Sequence, residues 1–249
     1  MNGTERPKVA TIANLELSAV MRGRAIPIER LDDVLDGGLP WVPCNVCLSP
    51  SNSIPPDNPF GPMGETTLVP VRDPSMILPA REDRPAMAVY LADITHHDGT
   101  FWEGCARSQL TRALAELKAN HGLSLKVGFE HECFIYGLGD GPTAAFSLAG
   151  VRKASGLAEE VQQTLATAGT RLDQFIPEYG VDQFEIASPV REAMRACDEA
   201  VFAREAIRDA ARARGAQATF APKPDLTQVG SGVHIHFSLW DEAGTPRTA

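Results

Sequence analysis

The feature that most restricts this chain is a twelve-residue stretch, Leu125 to Tyr136, reading LKVGFEHECFIY. Its side chains alternate in the two-residue period of a strand, with Glu130, Glu132 and Phe134 on one face and Phe129, His131 and Cys133 on the other. Apolar residues on both faces predict a strand largely covered on both sides. Two carboxylates side by side on such a strand repel each other and are costly to bury unless a cation or a basic group neutralises them. Whatever fold the chain adopts must therefore deliver positive charge to this strand.

A second stretch supplies candidates. Lys223 to Trp240 reads KPDLTQVGSGVHIHFSLW, a Lys-Pro turn and a Gly230-Ser231-Gly232 loop leading into a strand. His234, His236 and Ser238 share one face of that strand, while Val233, Ile235, Phe237 and Leu239 take the other, which is expected to be core. Between the two stretches lies FIPEYGVDQFEIASP, with Glu178 and Glu185 separated by a turn centred on Gly180. Glu130, Glu132, Glu178, Glu185 and His234 form a ligand set rich in carboxylate oxygen, which suits Mg²⁺ or Mn²⁺ better than Zn²⁺. More than two carboxylates with an imidazole suggest two metal sites, as in centres that clamp a transferring phosphoryl group. A glycine loop beside them allows close backbone approach to an anion.

Elsewhere the chain reads as ordinary globular sequence. Ala10 to Val20 is expected to be a strand, Arg22-Gly23-Arg24 a turn, and Ile28 to Leu35 a short helix ending at Gly37-Gly38. Eleven of the nineteen prolines fall between Pro40 and Pro85, so SPSNSIPPDNPFGPMG (residues 49–64) is either a disordered linker or a long ordered loop. Strands are expected over Thr66–Val71 and Ala86–Ile94, and helices over about Cys105–Ala119 and Gly156–Ala168, with Gly137 to Ala154 as loop. A further helix is expected from Ser188-Pro189 to about Arg214, its arginines forming a solvated face. His96 and His97 belong to a turn, and Cys44-x-x-Cys47 lacks a second pair to complete a zinc site.

The net charge of −9 argues against a nucleic-acid or anionic-membrane surface as the main partner. No apolar run reaches the roughly 18 residues of a membrane span. Glu16 interrupts the only apolar stretch near the start, which makes a poor signal peptide, and five cysteines suit reduced thiols. A cytoplasmic location is the expectation.

The acidic and histidine stretches, in this order and spacing, resemble the glutamine synthetase family. GFEHECF resembles its first paired-glutamate strand, IPEYGVDQFEI its further metal glutamates, and ATFAPKPDLTQVGSGVHIHFSLW its ATP-region signature. AVMRGRAIP resembles the start of the family's N-terminal domain, and TTLVPVRDPSMILPA and FWEGCARSQL extend the likeness over almost the whole chain. The resemblance implies an α+β fold: an N-terminal β-grasp domain over residues 1–104, then the first part of the catalytic domain, an antiparallel sheet with flanking helices, over 105–249. It implies that Glu132, Glu178 and Glu185 hold one divalent metal, and that Glu130 and His234 hold the second. Gly230 would contact the amino-acid substrate through its backbone, and His236 and Ser238 would face ATP. The implied reaction is an ATP-dependent carboxylate–amine ligation through γ-glutamyl phosphate, with glutamate and either ammonia or a larger amine as partners, in a ring-shaped homo-oligomer with shared sites.

Four departures accompany the likeness. LSPSNSIPP stands where typical members carry an Asp-Gly-Ser-Ser loop, which fits relatives that join glutamate to larger amines, such as γ-glutamylpolyamine synthetases. Asp225 follows Lys223-Pro224 in place of an apolar residue. Val229 precedes Gly230, and Val181-Asp182 precedes Gln183, where smaller or more permissive residues are usual. The family's catalytic domain also continues beyond the equivalent of Trp240 with substrate-binding arginines, so the expectation is a chain that alone binds divalent metal weakly and does not turn over. The alternative expectation is a truncated, non-catalytic member that at most assembles with intact partners.

Overall fold

The computed structural model describes residues 6–248; the first residues of the stretch weighed as a leader lie outside them. The chain divides into two compact units, residues 1–120 and 121–249.

The first unit is built on a five-stranded sheet. Its strands are β1 (Val9–Leu15), β2 (Met21–Pro27), β3 (Leu39–Trp41), β4 (Thr66–Leu78) and β5 (Met87–His96), in the order β2-β1-β5-β4-β3. β1 and β5 run parallel and the other neighbours antiparallel. A 3₁₀ turn (Ile28–Arg30) and α1 (Leu31–Gly37) follow β2, and α2 (Ala106–His121) comes after β5. Ile12, Val34, Leu68, Ile94, Trp41 and Trp102 fill the core.

The β1–β2 turn lies earlier than expected. Glu16, a buried carboxylate, accepts hydrogen bonds from Ser18 N (2.8 Å), Ser18 Oγ (2.6 Å) and Val20 N (2.7 Å), and so closes the chain reversal at Leu17–Ala19. Three donors compensate the cost of burying that charge. Gly23 is inside β2 rather than at a turn: a Cβ there would lie 2.1 Å from Ile12 O, so only glycine lets the two strands approach. The proline-rich segment is an ordered loop. Arg22 donates to Asn52 Oδ1 (2.7 Å) and Ser49 O (2.9 Å), and Phe60 packs on Trp102 at 4.8 Å between ring centres.

The second unit carries β6 (Leu123–Tyr136), α3 (Leu148–Thr167), β7 (Gln174–Pro177), β8 (Gln183–Ala187), β9 (Arg191–Glu192), α4 (Ala193–Arg212), β10 (Gln217–Thr219) and β11 (Val233–Asp241). β6 is the spine: β8 and β9 pair along one edge and β10 and β11 along the other, all antiparallel, with β7 beyond β8. α4 packs on β6, β9 and β10, and α3 packs on α4 and β7.

Several expectations are corrected here. α3 begins at Leu148, eight residues before the expected start, because Ser147 caps it by accepting from Gly150 N at 3.1 Å. α4 begins at Ala193, not at Ser188-Pro189; Ser188 N donates to Phe129 O at 2.8 Å, which keeps this segment extended beside β6. The helix's arginines are not a uniformly solvated face. Arg195 donates to buried Glu199 at 2.5 Å, and the guanidinium carbons of Arg204 and Arg208 each lie 5.0 Å from the centre of the Phe220 ring. Val233, Ile235 and Phe237 were expected to be core but are 48%, 55% and 64% exposed, because α4 covers the corresponding face of β6 and β11 lies outside it at the sheet edge. All five cysteines are free thiols. No helix among the described residues is long and apolar enough to cross a membrane.

Candidate metal centre

Strand register assembles the acidic face. Across the β6–β11 ladder Glu130 stands opposite His234, and across the β6–β8 ladder Glu132 stands opposite Glu185. Glu178 follows directly after β7 and is held at the level of Gln183 by a hydrogen bond from its amide to Gln183 O (2.8 Å). The ligand atoms of Glu130, Glu185 and His234 all lie within 4.8 Å of one another. The resemblance assigns Glu185 to the set with Glu132 and Glu178; it stands directly across the ladder from Glu132, and its carboxylate also comes within reach of Glu130 and His234.

The charge state reflects this crowding. Burial, then the neighbouring charges of Glu130, Glu178 and Glu132, raise the Glu185 carboxyl above the usual range, with His234 pulling the other way. Glu178 is raised for the same reasons, by burial first and by Glu132 as its acidic neighbour, against a backbone hydrogen bond from Tyr179. Like charges placed directly across a ladder are destabilising on their own, and hard oxygen donors with one imidazole suit a small divalent cation. The residues present fit such an ion.

The two histidines differ in their partners. His236 Nε2 lies 3.0 Å from Glu130 Oε2, and His234 Nδ1 lies 3.7 Å from the same oxygen. Both rings are more than half exposed. Ser238 Oγ accepts from Trp240 Nε1 at 2.7 Å, and Lys126 Nζ sits 3.9 Å from the centre of the Trp240 ring, so this end of the face is also built by β6 and β11 together. Gly230 lies in the loop before β11, where its carbonyl accepts from the Gln183 side chain at 2.9 Å. A Cβ at Gly230 would lie 3.0 Å from Pro222 O, so this position favours glycine by its closeness to the backbone.

Two features of the site escaped sequence reasoning. Gln183 is buried and reaches Glu132, Gly230 and Ser231 at once. Asp182, one of the departures noted above, adopts φ +64° at the β7–β8 turn and is gripped by Lys153 of α3 at 2.5 Å. Only the tendency of aspartate to tolerate left-handed backbone pointed toward that second arrangement.

Behind the glutamate face, His131 is buried between Phe129 and Phe220, at ring-centre distances of 5.8 and 6.2 Å. Burial, aided by the Arg204 charge, lowers its pKa to about 4, so it stays neutral. Cys133 beside it on the strand is pushed up to about 12 by burial and is an inert thiol.

Comparison with known proteins gives a consistent set of relatives. The family model described as glutamine synthetase, catalytic domain, matches residues 103–249, and the glutamine synthetase N-terminal domain matches residues 3–102. Type-1 glutamine synthetase 1 of Dictyostelium discoideum is 34% identical over 156 residues, covering 56% of this chain and 31% of that protein. Gamma-glutamylpolyamine synthetase GlnA3 of Streptomyces coelicolor is 28% identical over 239 residues, covering 92% of this chain and 50% of that protein. A solved structure described as a novel glutamine synthase homolog superposes with a TM-score of 0.89 at 35% identity, covering 99% of this chain and 58% of that one. The chain spans about half the length of these relatives, or less.

Proposed function

The chain belongs to the glutamine synthetase family, and from that premise we propose that it serves an ATP-dependent ligase joining the side-chain carboxylate of glutamate to an amine. The observation that carries this reading is the convergence of Glu130, Glu185 and His234, with Glu132 and Glu178 alongside, on one face of the sheet. Glu132, Glu178 and Glu185 would hold one divalent ion and Glu130 and His234 the other, with Glu185 also within reach of the second pair. Bound there, Mg²⁺ or Mn²⁺ would offset the charge of the phosphates.

The reaction needs little covalent participation from the protein. A glutamate carboxylate oxygen attacks the γ-phosphorus of ATP, the bond to the bridging oxygen breaks, and ADP leaves. The amine nitrogen then attacks the acyl carbon of γ-glutamyl phosphate, inorganic phosphate departs and the amine gives up a proton. Both steps depend on alignment and charge compensation. The exposed His236 and the half-buried Ser238 lie along the same face as the glutamates and would meet the nucleotide. The backbone around Gly230 would meet the amino-acid substrate, and the family's shared-site oligomers suggest assembly with copies of itself.

Two observations favour an organic amine over ammonia as acceptor. LSPSNSIPP replaces the family's usual Asp-Gly-Ser-Ser loop. Similar proteins also include one named gamma-glutamylpolyamine synthetase and one named glutamate–isopropylamine ligase, the latter 39% identical over 87 residues. The test is ADP release by the protein expressed from the whole reading frame that carries this chain, with glutamate, ATP, Mg²⁺ or Mn²⁺ and a panel of amines. Release that requires glutamate and rises with an alkylamine or polyamine supports the reading. Hydrolytic activity without ATP would replace it with a metal-dependent hydrolase.

A further inference from the structure

Gln183 lies at the first position of β8 with only 3% of its surface exposed, and its side chain is the crossing point of three segments. The amide oxygen accepts from Gly180 N at 3.0 Å, closing the β7–β8 turn that presents Glu178 and Glu185. The amide nitrogen lies 2.9 Å from Gly230 O, 3.1 Å from Ser231 Oγ and 3.3 Å from Glu132 Oε2. It carries two N–H donors for these three acceptors, so the set is oversubscribed. A cation that takes up part of the Glu132 charge, or a change in the loop, must therefore redistribute those bonds.

The same oxygen of Glu132 has a second donor. Gly232 N lies 3.0 Å from Glu132 Oε2, and Glu132 N donates back to Gly232 O at 3.1 Å. Oε1 accepts no hydrogen bond among the described residues, so it remains available to a cation. Gln228 adds another tie between turn and loop, accepting from Val181 N at 2.8 Å. Ser231 N donates to Pro222 O at 2.7 Å, so residues 222–232 form a loop closed on itself and fastened to the metal glutamates at its C-terminal end.

We propose that Gln183 is a positioning residue that couples the Gly230–Gly232 loop to divalent-metal binding at Glu132. It commits Glu132 Oε2 to the loop and leaves Oε1 for the metal, so cation binding orders the loop and loosening the loop weakens the cation. The coupling is reciprocal, as any linkage between two binding equilibria must be. It rests on the reading of this face as a divalent-metal centre.

The experiment uses the chain itself and Mn²⁺ alone. Mn²⁺ affinity is measured by loss of the free-ion electron paramagnetic resonance signal, and amide exchange of residues 228–232 is followed with and without the ion. The wild type is expected to bind Mn²⁺ and to show slower exchange at Ser231 and Gly232 when it is bound. Gln183→Met removes the donors while keeping an unbranched side chain. It is expected to weaken Mn²⁺ about tenfold or more, the usual range for partners behind a metal ligand, and to abolish the ion-dependent protection of the loop. Glu130→Gln removes a glutamate that does not touch Gln183; it is expected to weaken Mn²⁺ yet retain loop protection at saturating ion.

If Glu130→Gln weakens binding while Gln183→Met binds like wild type and keeps the protection, the coupling is refuted and the metal reading stands. If neither variant differs from a wild type that fails to bind, the metal reading fails and the coupling with it. Should Gln183→Met not fold, the wild-type measurement decides alone: unchanged exchange at Ser231 and Gly232 on Mn²⁺ saturation overturns the proposal.

Discussion

The β7–β8 turn offers a direct test of how the site is braced. Asp182 adopts φ +64° between the two glutamates, and its carboxylate meets Lys153 Nζ at 2.5 Å. The Lys153 side chain is 3% exposed, Asp182 is 22% exposed, and the ammonium also donates to Gly141 O at 2.6 Å. Removing one partner of a fully buried pair costs about 3–5 kcal/mol. Here Lys153 keeps a carbonyl partner and Asp182 reaches water, so Asp182→Asn, which tolerates the same backbone, should cost about 2–3 kcal/mol. Asp182→Gly loses the same charge but relieves the left-handed backbone, recovering about 1 kcal/mol. Lys153→Met leaves a carboxylate that can hydrate and should cost about 1–2 kcal/mol. In the double variant Lys153→Met/Asp182→Asn the buried charge has gone, so its cost should fall well short of the sum, with a coupling of about 1–2 kcal/mol. The assay is chemical unfolding of the second unit, followed by amide exchange in β6 and β8. Coupling below about 0.5 kcal/mol would place the pair with exposed ion pairs and refute the bracing argument.

Other outcomes follow from the same packing. His131 is neutral in the fold, with a pKa near 4 against about 6.5 unfolded, so the unfolded chain binds the extra proton; its contribution is complete above about pH 6.5 and is lost as pH falls toward 4. Between pH 7 and 5 the wild type should lose about 2 kcal/mol more unfolding free energy than His131→Leu, and parallel pH profiles for the two proteins would contradict this. At Gly150 a Cβ would come within 2.7 Å of Pro177 Cβ, so Gly150→Ala should lower stability by about 1–2 kcal/mol despite the better helix former. Gly156 meets only an ordinary contact 3.6 Å away, so Gly156→Ala in the same helix should raise stability by about 0.5–1 kcal/mol; thermal melts of the two variants shifting the same way would count against this packing.

The parts of the fold legible in the sequence are those governed by a local period. Glu130 and Glu132 declared a strand and a charge problem within three residues, and the alternation of His234, His236 and Ser238 assigned them to one face before any pairing was known. What escaped reading depends on long-range contact. Gly23 looks like a turn residue until Ile12 is placed against it, and Glu16 looks exposed until Ser18 and Val20 turn their donors onto it. Ser188-Pro189 has the composition of a helix start, but a hydrogen bond to Phe129 O holds it extended. Val233, Ile235 and Phe237 have the pattern of a core face, and pattern alone does not say whether a layer covers it. The role of Gln183 is invisible in one dimension because its partners lie 47 to 51 residues away.

The central claim is that this face is a divalent-metal centre, and Mn²⁺ binding to the purified chain tests it most directly. Wild-type protein should deplete the free Mn²⁺ resonance, and Glu130→Gln, Glu185→Gln and His234→Ala should each weaken that depletion. The effect should fade as pH drops through the raised range of Glu178 and Glu185, where protons compete with the ion. A wild type whose Mn²⁺ titration matches that of the combined Glu130→Gln/Glu185→Gln/His234→Ala variant at neutral pH would contradict the account.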